Sequence, residues 1–71
     1  MNKKILIEGM SCDHCIKHVT NALTELNGVT NVDVNLKENF AILNANTEVK
    51  DEDIKLALDD AGYDVVGIEV L

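Results

Sequence analysis

Seventy-one residues, 46% of them hydrophobic, are enough for one small globular domain spanning 1–71 and too apolar for a disordered chain. A formal charge of −7, from 13 acidic against 6 basic residues, leaves no basic stripe for nucleic acid and disfavours anionic membranes. Only Phe40 and Tyr63 are aromatic and proline is absent, so the core is aliphatic and stacking on RNA bases is excluded.

Lys3 to Glu8 reads as a strand, with Ile5 and Ile7 on one face and Leu6 on the other. Gly9 ends it, and Gly9-Met10-Ser11-Cys12-Asp13-His14-Cys15 carries both cysteines. A helix follows, from Ser11 or Asp13 to Asn27. Its apolar positions are Cys15, Val19, Ala22, Leu23 and Leu26, while Lys17, His18, Asn21 and Glu25 face outward. Asn27-Gly28 stops it.

Val29 to Leu36 is the second strand, with Val32, Val34 and Leu36 on one face. Lys37-Glu38-Asn39 turns the chain into a return strand, Phe40 to Asn44, and Ala45 to Lys50 is a loop. Asp51-Glu52-Asp53 opens a second helix, where negative charge complements the positive end of the helix dipole. Its buried stripe is Ile54, Ala57, Leu58 and Ala61, and Gly62 stops it. Asp64 to Val70 is the last strand, carrying Val65, Val66, Ile68 and Val70.

The order strand, helix, strand, strand, helix, strand predicts an α+β chain of the ferredoxin-like βαββαβ plan. It is an open-faced sandwich, a four-stranded antiparallel sheet with two helices on one face. Each helix ends in a glycine followed by a valine-rich strand, although the two halves share too little side-chain identity to claim duplication.

No apolar run approaches the roughly 20 residues of a membrane span. Ile5-Leu6-Ile7 is too short for a signal-peptide core, so the expected location is the cytoplasm. There a Cys-x-x-Cys pair stays reduced and points to metal binding or redox chemistry. On a loop entering a helix, residues three apart can face one ion. Two thiolates alone satisfy a soft d10 ion of low coordination number, with Cu(I) first among biological candidates. Structural zinc takes four ligands, and this pair supplies half. The helix N-terminus favours the thiolate.

Gly-Met-Ser-Cys-Asp-His-Cys after a first strand resembles the heavy-metal-associated domain. So do the Leu23 to Val29 stretch and Ala61-Gly62-Tyr63 after the second helix. The likeness covers the whole chain and is strongest to the family's bacterial copper chaperones. It implies the βαββαβ fold and a non-enzymatic carrier in which Cys12 and Cys15 bind Cu(I) as thiolates. Met10 would pack inward beneath the loop, and Tyr63 would shield the metal from a neighbouring loop. The implied partner is a copper-transporting P-type ATPase or a copper-responsive repressor. Two dithiol loops could also share copper in a metal-bridged homodimer. The start at Met1 favours a free chaperone over a domain of an ATPase.

Several residues have a plainer reading beside the functional one. Met10 carries a thioether suited to Cu(I), but an apolar residue ending a strand is usually packing. His14 could be a third ligand, yet a histidine in a solvated loop is more often simply exposed. Asp13 raises negative charge beside the thiolates and reads as surface. Lys17 and His18 read as solvent-facing, and the run 51–53 as helix capping. Tyr63 could be a boundary residue, ring on the core and hydroxyl in water. Two competing functions remain. One is the same fold carrying Zn(II), Cd(II) or Hg(II). The other is a thiol–disulfide oxidoreductase, against which stand the length, the missing proline and the lack of an aromatic before Cys12.

Overall fold

In the computed structural model, residues 1–10 and 13–71 are described. The elements are β1 (Asn2–Glu8), α1 (Asp13–Thr24), β2 (Val29–Asn35), β3 (Phe40–Ala45), α2 (Asp51–Asp60) and β4 (Asp64–Val70). The strands form one antiparallel sheet in the order β2-β3-β1-β4, so the strand that leads into the cysteine loop is central. This is the expected ferredoxin-like βαββαβ arrangement.

The pleat of β1 decides where the helices sit. Lys3, Ile5 and Ile7 are buried while the residues between them are not, and Ile5 lies opposite Ala41 on one side and Ile68 on the other. Val19 and Leu23 of α1 and Ile54 and Leu58 of α2 are fully buried in the same cluster as Ile5, Ile7 and Leu43. The opposite face of the sheet stays open. It carries Lys4, whose ammonium stands 4.5 Å from the Phe40 ring centroid, with Leu6 and Ile42 alongside.

Both edge strands are irregular. On β4 the register slips between Leu6 and Ile7, which pair with Gly67 and Val65 and leave Val66 bulged out. On β2 it slips between Val29 and Asn31, and Thr30 bonds its hydroxyl to the Asn44 carbonyl at 3.2 Å instead. The bulge puts Val65 and Ile68 on one face with Val66 outside it, while Val70 is exposed as the last residue of the strand. Val65 and Ile68 pack on the core, whereas Val66 and Val70 are exposed.

Several sequence expectations shift. The strand β3 takes in Ala45, expected in the loop, and Ala57 of α2 is only partly buried, the stripe being Ile54 and Leu58. The first helix ends at Thr24 instead of Asn27, because the chain tightens there: Leu26 N–H donates to the Leu23 carbonyl at 3.1 Å. Ala61 is exposed, not part of the buried stripe, because α2 ends at Asp60 and Ala61 is its C-cap, donating back to Ala57. The second strand closes at Asn35, one residue before Leu36. Asn35 then caps the hairpin by accepting the Glu38 N–H on its side-chain oxygen at 3.0 Å.

The α1–β2 junction needs Gly28. Its φ of +91° lies in the left-handed region, and a Cβ there would collide with the Thr47 hydroxyl. At the far end of the sheet from the cysteine loop, Lys3 is buried on the helix face. Its ammonium donates to the Val49 carbonyl and to Asp51 Oδ1, both at 2.6 Å. The first acidic residue of α2 therefore serves as an ionic partner as well as a dipole complement.

Candidate metal site

The loop grows out of the central strand and turns into α1. Gly9 makes the exit with φ of +96°, and a Cβ on it would lie 3.7 Å from Cδ1 of Tyr63. Met10, 7% exposed, belongs to the core cluster. Ser11 and Cys12 lie outside the described residues, as does the side chain of Asp13, so the expected Cys12 thiolate has no described position.

Cys15 is in the first turn of α1, 8% exposed and in contact with the core cluster. Backbone N–H groups in that turn have no helical acceptor, and their partial positive charge favours a thiolate over a thiol. His14, on the same turn, is exposed, in line with the plainer reading. Lys17 is exposed as well.

Tyr63 comes to the loop from the opposite half of the chain. The turn after α2 places it, with its N–H donating to the Leu58 carbonyl at 2.9 Å. Its side chain is 7% exposed and packs in the same cluster as Cys15 and Met10. Its hydroxyl is not simply left in water: it lies 3.3 Å from Nδ1 of His18, an exposed residue on α1. Sequence reading placed His18 correctly at the surface but missed this bond. A histidine one turn beyond the second cysteine was the available signal, and only the fold supplies its partner.

The Cys-x-x-Cys segment thus lies in sequence between the end of β1 and the first turn of α1, with the Tyr63 ring close to Gly9.

Residues 4–64 match the heavy-metal-associated domain, and the chain belongs to that family. It is 47% identical over 66 residues to the protein named copper chaperone CopZ of Staphylococcus haemolyticus, covering 92% of this chain and 97% of that one. Among solved structures it is similar to a CopZ metallochaperone, with a TM-score of 0.87 and 39% identity over 93% of this chain and all (100%) of that one. It is also similar to a copper-binding domain from the P-type ATPase HMA7. There the TM-score is 0.82 and the identity 37%, over 100% of this chain and 95% of that domain.

Proposed function

We propose that this protein is a copper chaperone, a single domain spanning 1–71 that carries Cu(I) on the thiolates of Cys12 and Cys15. The observation that carries the reading is Cys15 in the first turn of α1, in one core cluster with Met10 and Tyr63, in a chain so similar to copper chaperones. Cu(I) is its cargo, and no bond of a substrate is made or broken. Delivery proceeds by ligand exchange. A thiolate of the acceptor adds to the ion, giving a three-coordinate copper shared by both proteins. One thiolate of this chain then leaves, and the second exchange completes the transfer without change of oxidation state.

The acceptor class is a Cys-x-x-Cys domain of a copper-transporting P-type ATPase, a reading supported by the likeness to the ATPase copper-binding domain. A copper-responsive repressor is the other acceptor of matching chemistry. The proposed location is the cytoplasm, consistent with the finding that no described helix is long and apolar enough to cross a membrane.

Anaerobic titration of the reduced protein with Cu(I) against a colorimetric chelator tests this. One ion per chain is expected, or one per two chains if the ion bridges a homodimer. The Cys12→Ser/Cys15→Ser variant should bind none, and Met10→Leu should keep the wild-type stoichiometry because the thioether only packs. Zn(II) held as firmly as Cu(I) would retire the copper reading in favour of a divalent carrier.

A further inference from the structure

His18 and Tyr63 are 45 residues apart in the chain, yet their polar ends meet at 3.3 Å. The imidazole belongs to an exposed helix position, and the phenol to a residue that is 7% exposed. At its other edge the same ring is near Gly9, where an added Cβ would lie 3.7 Å from Cδ1. These two anchors, Gly9 and His18, bracket the Cys-x-x-Cys segment in sequence, and the ring joins them. The bond forms with either imidazole tautomer: the phenol O–H donates to Nδ1, or a protonated Nδ1 donates to the phenol oxygen.

We propose that His18 is a positioning residue for copper retention. By hydrogen bonding to the Tyr63 hydroxyl it keeps the phenol closed against the base of the cysteine loop, and so slows loss of Cu(I) to an acceptor. The inference rests on the Cu(I)-carrier reading above. It adds a residue to that site whose role is indirect, since the imidazole acts through Tyr63. Metal ligands are commonly oriented by outer hydrogen bonds whose loss typically costs about 10–100-fold in affinity, and this bond, one residue further from the ion, should have a smaller effect.

A double-mutant cycle tests it. Wild type, His18→Ala, Tyr63→Phe and the double variant are loaded with one equivalent of Cu(I). Its release to a colorimetric chelator is then timed. Each single change removes the same bond, so each should speed release by about threefold to tenfold, the equivalent of one hydrogen bond. The double variant should be no faster than the faster single one. His18→Asn, which puts a polar atom where Nδ1 stands, should restore most of the retention.

His18 is exposed, so none of its substitutions removes core volume, and circular dichroism is the check that each variant folds. A second readout needs no copper. The chain has one tyrosine and no tryptophan, so its ultraviolet emission reports Tyr63 alone. That emission should change in apo His18→Ala and return in His18→Asn.

Unchanged emission in apo His18→Ala would overturn the contact. Equal release from wild type and His18→Ala, or independent additive effects in the double variant, would overturn the retention role while leaving the carrier reading intact. Failure of wild type to take up Cu(I) at all would instead overturn the carrier reading, and the copper role of His18 with it.

Discussion

At the scale of single residues, the buried lysine separates two kinds of polar contact that look alike in distance. Lys3 touches Val49 and Asp51 equally closely, but Asp51 is 53% exposed and the lysine only 6%. Water can replace the ammonium at the carboxylate, so that ion pair contributes at most about 1 kcal/mol. The Val49 carbonyl belongs to a residue that is 3% exposed, and losing its donor leaves it without a described partner. An unsatisfied group of that kind costs about 1–3 kcal/mol. Lys3→Met should therefore destabilise the fold clearly more than Asp51→Asn in urea denaturation. Equal losses would show that the charge pair dominates. Neither contact could be read from the chain. A lysine two residues from the start looks like surface, and its partners lie 46 and 48 residues away.

At the scale of elements, the strands and helices announced themselves through alternation, helical spacing and glycines, and all six are present in order. What the pattern hid were the places where one element's end is decided by another. Ala61 has the spacing of the buried stripe, yet it falls beyond the last turn of α2 and has nothing above it to pack on. Gly28 shows the same dependence more sharply, because its stop signal is also a site of close approach to Thr47. Gly28→Ala has two penalties: about 1–2 kcal/mol for a left-handed backbone, and the displacement of the threonine hydroxyl. Placing the same change in a Thr47→Ala background should remove the second part. A cost that stays the same in both backgrounds would mean that Thr47 moves aside freely.

At the scale of the whole molecule, the candidate site was the most legible part of the sequence, because Cys-x-x-Cys at a strand–helix junction is local. Its enclosure was not, since it depends on Tyr63 arriving from the other half of the fold. That division predicts how the ion and the fold support each other. A ligand that binds only the native state stabilises it by about 4 kcal/mol when free ligand exceeds Kd a thousandfold. In a domain of this size each kcal/mol moves the thermal midpoint by about 4–8 °C. The unfolded chain still holds Cys12 and Cys15 three residues apart and keeps part of the affinity for Cu(I), so a rise of roughly 10 °C is the expected net effect. Calorimetry with and without one equivalent of Cu(I) measures it, and Cys12→Ser/Cys15→Ser should show no rise. A midpoint unmoved by copper in the wild type would mean that the unfolded dithiol binds as well as the folded one.

The two slips of register at the rims of the sheet have a bearing on how many copies of this chain can share a compartment. An open sheet ends in strands whose outer N–H and C=O groups invite another chain to continue the ladder. Here the strands at both rims, β2 and β4, are the irregular ones, with Thr30 and Val66 out of step with their inner neighbours. A newcomer aligned with Asp64 and Val65 would lose its alignment by Gly67, and one aligned with Val29 would lose it by Asn31. Fibril-like stacking along the full length of either rim thus has to cross a break in register, at Thr30 on one side and Val66 on the other.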